Sequence, residues 1–401
     1  TGNINFSTVP TLSLASFDEV MTLFNADVGG RYLFGGGLTD KKPVVSPKTA
    51  LDGDGGKAGF RTVATERKAA DLGATNMGRV TVAAATDTVT LAEDGDHPFG
   101  FKLSTVATST ADIAVVQPGA VQPRSLTVQF NTANLPSAGD KVTVVMTLPD
   151  GTEESIELVA TEDITPDPGE FTIGADADQT ATNFAAALTD SIELMAGTTL
   201  AAASTFAAAE NFFNGQGETV MRVDGPPYDT ATALIAATTS NTVMWYSGED
   251  AANARATVNA KVDDGTTVNY GVQANEKGLV ELVRTLASMA IQTYSDADTT
   301  SMGRFDAMAL RQIDRLAEGN SNNSGSIGVI AVELGLAKTT MGHVKERQTA
   351  HKAQLDGMIS DIETIPPEEV TMEILSLKTR LEASFETTSL VAQLSLVHYL
   401  P

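Results

Sequence analysis

From Ile327 onward, apolar side chains recur at alternating steps of three and four. The series is Ile327, Ile330, Leu334, Ala337, Met341 and Val344, then Gln348 and His351, then Leu355, Met358 and Ile362. Such spacing keeps one stripe of a helix facing a partner and predicts a long rod. Pro366 and Pro367 stop it, because neither has an amide donor and a proline disfavours helix at the residue before it. One helix therefore ends at Thr364 or Ile365. A second opens at Pro367-Glu368-Glu369, with acids at its positive end. Its stripe runs through Val370, Ile374, Leu377, Leu381 and Phe385 toward the C-terminus. Two long amphipathic helices at the end of a Gly-, Thr- and Ala-rich chain point to assembly rather than catalysis.

The chain has 401 residues, 42% of them apolar, enough for roughly two to three domains with real cores. Lys and Arg number 26 and Asp and Glu 51, a net charge of −25. That argues against nucleic acid, whose phosphates need clustered cations, and against anionic membranes. With no cysteine, disulfide, thiolate and zinc-thiolate chemistry are excluded. Thr1 to Pro10 has neither the basic region nor the apolar core of a signal peptide. No uninterrupted apolar run in the sequence reaches the roughly 18 residues of a membrane span. From the start at Thr1, without methionine, a fragment or a processed form is expected.

Four segments follow from texture. Residues 1–79 read as a helical segment with Phe17, Val20, Met21, Phe24 and Val28 on one face, an exit loop, and a short helix over 60–73 that Gly73 can end. Residues 80–250 alternate like strands: Leu126-Val128-Phe130, then Val142 to Leu148, the turn Pro149-Asp150-Gly151, Ile156 to Val159, and Phe171 to Ile173. A helix over 179–196 interrupts them. Residues 251–365 carry a last strand pair (254–262 and 268–272), helices over 275–294 and 301–319, and the long seam. Residues 366–401 form the terminal helix. The fold class expected is α+β, with a long antiparallel helical rod made by both ends of the chain and a mainly-β α+β domain inserted between them.

Local motifs weigh against chemistry. Asp52-Gly53-Asp54-Gly55-Gly56 suggests a calcium loop, but Gly56 and Val63 stand where its fifth and twelfth ligands belong. It reads as a flexible turn. Gly35 to Gly37 lack the Lys-Ser/Thr of a phosphate loop and mark a backbone bend. His343 and His351 share a face without acids to complete a metal site. Gln348 and His351 either set register within the seam or sit on its solvated edge. The sequence holds no Gly-x-Ser-x-Gly, and neighbouring acids such as Glu153-Glu154 do not share a face. No catalytic, cofactor or metal residue is assigned, and the chain is expected not to be an enzyme. Phe212, Phe213, Trp245 and Tyr246 read as core, or alternatively as a patch for a glycan or a host surface, which would make the 80–250 domain that of a cell-surface adhesin or glycan-binding protein.

Three stretches resemble the bacterial flagellin family, which includes filament flagellin and the hook-associated junction protein. Asn25 to Phe34, within LFNADVGGRYLFGGGLTDKKPVV, is similar to the point where the family's N-terminal helix gives way to a loop. Glu66 to Arg79, within ERKAADLGATNMGR, is similar to alphaproteobacterial members. The ending LKTRLEASFETTSLVAQLSLVHYL resembles the family's C-terminal helix, and Leu394 to Leu400 stand closer to the junction protein. The resemblance covers about 1–80 and 250–400. It implies a structural subunit exported unfolded through the flagellar channel to an extracellular flagellum. The implied partners are itself, other flagellar axial proteins and a flagellar export chaperone. The Ile327–Ile362 stripe is the expected rod seam, Pro366-Pro367 the joint, and Val370 to Phe385 the inter-subunit stripe. One departure stands out: the family's long first helices are not found ahead of Asn25. That implies an exposed terminal stripe, favourable to bury at roughly 1.5–3 kcal/mol per side chain.

Overall fold

A computed structural model of the chain describes residues 6–215, 218–295, 297–319 and 324–397. In chain order come α1 (Val9–Phe24), the two-residue strands β1 (Asp27–Val28) and β2 (Arg31–Tyr32), α2 (Pro47–Asp52) and α3 (Phe60–Leu72). Eight strands follow: β3 (Val80–Ala85), β4 (Thr88–Glu93), β5 (Lys102–Thr108), β6 (Ile113–Val116), β7 (Ser125–Phe130), β8 (Lys141–Thr147), β9 (Glu153–Thr161) and β10 (Glu170–Thr172). Then come α4 (Ala177–Met195), α5 (Ala201–Phe212), β11 (Met221–Val223), β12 (Leu234–Ala236), β13 (Asn259–Asp263) and β14 (Thr266–Asn269). The chain ends in α6 (Lys277–Ala290), α7 (Ser301–Gly319), α8 (Ile327–Glu363) and α9 (Pro367–Val397). Two compact units result: residues 1–260 with 269–334, and residues 261–268 with 335–401.

The first unit contains two four-stranded sheets, ordered β3-β4-β7-β6 and β10-β9-β8-β5. Strict alternation in β7, β8 and β9 sends Leu126, Val128, Val142, Val144, Ile156 and Leu158 inward. The Pro149-Asp150-Gly151 turn joins β8 to β9 in the expected register, with Thr147 opposite Glu153. Helix α4 buries Phe184, Leu188 and Ile192 in the same core, where Phe184 meets both Phe130 and Phe171 edge to face. A π-helical turn over 196–200 carries α4 directly into α5. By composition the 177–212 stretch could cross a membrane, which the raw sequence did not suggest, but 67% of its apolar window is buried in this fold.

A second core draws on distant parts of the chain. Phe17, Met21 and Phe24 from α1 meet Phe60 and Val63, then Phe212, Phe213 and Trp245, then Val280, Val283 and Ala287. Helix α6 turns this face inward and leaves Leu279, Leu282 and Leu286 only half-buried. Val28, expected on the α1 face, lies instead in exposed β1. The last strand pair is also shifted: residues 254–257 form a 3₁₀ turn, and the hairpin is β13–β14.

The expected rod built from both chain ends is not there. Helix α1 has 16 residues and packs on α6, whereas α8 has 37 residues, α9 has 31, and every described side chain of α9 is exposed. At about 1.5 Å per residue, α1 spans about 24 Å and α8 about 56 Å, so α1 could line less than half of such a rod. Helix α1 also has its apolar face fully engaged, with Phe17 and Met21 at 0% exposure. A 3-4 repeat fixes which face of a helix is apolar, but not which partner covers it.

Candidate assembly interface

Helix α8 starts where Ser326 caps it, its Oγ accepting from the Val329 amide at 3.3 Å. In the first unit Arg255 pairs with both Glu276 and Glu333, the latter at 3.0 Å, tying the first turns of α8 to the loop before α6. The predicted seam then divides. Ile330, Ala337 and Val344 are buried, and Ile327, Leu334 and Met341 between them are half-buried. From Lys345 onward every described side chain of α8 is exposed, including Leu355, Met358 and Ile362. The break coincides with the two polar seam positions. In the second unit Gln348 donates to the Val262 carbonyl at 2.9 Å, beside an Arg347–Asp263 ion pair. Gln348 therefore holds the β13–β14 hairpin, and His351 is exposed.

The joint forms as the prolines dictate. Helix α8 ends at Glu363, and the Pro366 carbonyl accepts from the Glu369 amide at 2.9 Å in the first turn of α9. Along α9, Val370, Ile374, Leu377, Leu381 and Phe385 make one continuous stripe, from 39% exposed at Val370 to 68% at Phe385. Met372 and Leu390 are exposed as well, and at about 100° per residue they fall on the opposite side. Between them on that side stand Ser376, Thr379 and Glu386, so the apolar stripe of α9 runs along one side only. The Leu394 to Leu400 ending lies outside the described residues in its last three positions, as do the side chains of 394–397.

Energetics decide what such a helix can do. Burying the exposed share of five large apolar side chains, roughly half of 1.5–3 kcal/mol each, returns about 4–8 kcal/mol. Association costs roughly 4–15 kcal/mol in lost freedom of motion. One stripe meeting one neighbour is therefore marginal.

The other candidate sites are structural. Phe212, Phe213 and Trp245 are at most 2% exposed and belong to the core, while Tyr246 is half-buried and its hydroxyl donates to the Glu249 carbonyl at 2.8 Å. The Asp52–Gly56 loop is a tight turn closed by paired hydrogen bonds between Asp54 and Lys57. Its Gly53, at φ +88°, leaves no room for a Cβ against the Lys57 carbonyl. Gly36 and Gly37 make the expected bend, held by the Val272 carbonyl and the Glu249 carboxylate. Glu66 to Arg79 is an anchoring segment. Glu66 clasps Arg222 through both oxygens, Asp71 takes Arg67 and the Gly100 amide, and Arg79 binds Asp94 and the carbonyls of Ala70, Asp229 and Ala231. His97, stacked on Phe99, bonds Asp94 at 2.6 Å, and burial lowers its pKa below the ordinary histidine value. These pairings join residues up to 156 positions apart, so no local pattern announced them.

Comparison with protein-family models, curated proteins and solved structures finds no match to this chain.

Proposed function

We propose that this chain is a structural subunit of the bacterial flagellum, joined to its neighbours through α9 and placed at the hook–filament junction. The observation that carries the reading is α9 itself: 31 residues of helix with Val370, Ile374, Leu377, Leu381 and Phe385 uncovered along one side. A soluble protein keeps so much contiguous apolar surface only where something covers it. The flagellar identity rests on the resemblance of the 377–400 ending and of the Asn25–Phe34 exit loop, and the junction is favoured by Leu394 to Leu400. Filament flagellin is the alternative within the same family. The similarity of Glu66 to Arg79 favours it, although those side chains work inside the fold.

Electron microscopy with sedimentation of the full chain, with and without 368–401, tests the reading. Long filaments that vanish on deletion indicate a filament subunit. A soluble protein that caps hook or filament ends only with 368–401 present indicates the junction subunit. If neither assembly nor end-binding changes on deletion, α9 is not the joining element and the reading fails. A Leu377→Ser, Leu381→Ser, Phe385→Ser variant separates assembly from folding. The three side chains are exposed, so folding should change by no more than about 0.5 kcal/mol per site while assembly is lost.

A further inference from the structure

The sheet β10-β9-β8-β5 has two edges, and they are treated differently. On β5 the Gln117 side chain occupies the edge: its Oε1 accepts from the Val106 amide at 3.1 Å and its Nε2 donates to the Val106 carbonyl. An amide side chain there does what a neighbouring strand would do, and blunts the edge. On β9 the cover is partial. Strand β10 pairs only with Val159, Ala160 and Thr161. The Val159 amide donates to the Gly169 carbonyl, away from β8. By the alternation of an antiparallel ladder, the main-chain groups of Ser155 and the amide of Glu157 also face away from β8, toward an edge that β10 does not reach. The returning loop turns its own hydrogen bonds inward instead: the Asp167 amide donates to the Glu170 carboxylate at 3.2 Å, and the Glu170 amide to the Asp167 carbonyl at 3.0 Å.

Beside this open edge lies a groove of about 800 Å³, floored by α4 residues Ala187, Ser191 and Leu194. Ile164 stands at its rim, 90% exposed, and Leu194 on its floor is 56% exposed. Its charged lining is acidic, with Glu157, Asp167, Glu170 and Asp190; Glu157 already pairs with Lys141 at 2.7 Å, which leaves Asp167, Glu170 and Asp190 to meet a cation. We propose that the β9 edge and this groove bind an extended polypeptide segment of another protein, one that alternates basic with small apolar residues. Its backbone continues the sheet on the line of β10. Its apolar side chains rest on Ala187 and Leu194, and its cations meet the carboxylates. A second copy of this chain fits poorly, because two copies would each bring a net charge of −25. The proposal is independent of the role of α9.

The test is fluorescence anisotropy of the full chain with labelled peptides of about eight residues, one alternating Lys with Val, one alternating Glu with Val, and one Lys-Val peptide with proline at alternate positions. The Lys-Val peptide should bind, more weakly as salt rises from about 0.05 to 0.3 M, and the other two should not. Ser155→Pro removes one edge donor where an outward-facing amide makes proline tolerable. It should weaken binding by about tenfold, the worth of a good hydrogen bond. Asp190→Lys, an exposed change, should weaken it without touching the strand, and Glu346→Gln, on exposed α8, should leave it unaltered. Bound peptide should slow hydrogen exchange at Ser155 and Glu157. Absence of binding, or equal binding by the Glu-Val or proline peptide, overturns the proposal. So does binding that both groove variants leave intact.

Discussion

Arg79 and His97 show how single residues hold the first unit together. Arg79 has φ +69°, a conformation an L side chain adopts only when its surroundings insist. Its buried guanidinium satisfies Asp94 and three carbonyls. Arg79→Met should cost about 3 kcal/mol, because acceptors are left buried without a donor. Urea titration measures it, and a loss under about 1 kcal/mol would mean that water replaces the guanidinium. His97 has its pKa lowered chiefly by burial, with Lys102 and Arg79 adding to the effect and the Asp94 bond opposing it. The unfolded chain therefore takes up a proton more readily than the folded one. Stability is complete above the ordinary value of 6.5 and falls as pH drops below it toward the folded pKa. Melting temperatures of His97→Gln should decline less between pH 7 and pH 5 than those of the unaltered chain.

At the scale of elements, α8 carries its own test. Gly328, Gly335 and Gly342 fall seven apart, and nothing lies within 4 Å of where a Cβ would sit on any of them. Gly335→Ala and Gly342→Ala should each stabilise the helix by about 0.5–1 kcal/mol, read as slower hydrogen exchange along α8. A loss of protection would show that the open side is packed in solution. The hairpin contact on α8 responds to acid instead. The Arg347 bond, helped by the Asp264 amide, holds the Asp263 carboxyl below its ordinary 3.8. This contribution is present above pH 3.8 and disappears as pH falls through the lowered folded value. In Arg347→Ala the Asp263 carboxyl, followed by NMR, should titrate closer to 3.8.

For the whole molecule, charge and apolar surface oppose each other. A net charge of −25 makes copies repel at long range, while α9 favours contact. Raising salt from about 0.05 to 0.5 M shortens the range of repulsion severalfold and leaves apolar burial intact, so assembly should strengthen. Sedimentation velocity reads this directly. Weakening with salt would assign the contact to ion pairs rather than to the α9 stripe.

Local chemistry was enough to set much of the chain. Alternation dictates β7 to β9, Pro149-Asp150-Gly151 dictates their turn, Gly73 at φ +73° ends α3, and Pro366-Pro367 separates α8 from α9. Each is a preference of a few neighbouring residues and needs no partner. The exposed α9 stripe was legible for the same reason. What covers a face is not local. The seam from Ile327 to Ile362 is one uniform pattern in the sequence, yet the tertiary structure buries it only as far as Val344 and leaves Leu355, Met358 and Ile362 bare. The first helix has the stripe a rod would need, but the structure gives that stripe to α6, Phe60 and Phe213. The clasp of Glu66 on Arg222 and the open edge of β9 likewise arise only when distant segments meet. Periodicity sets the direction a side chain points; the fold decides what it meets there.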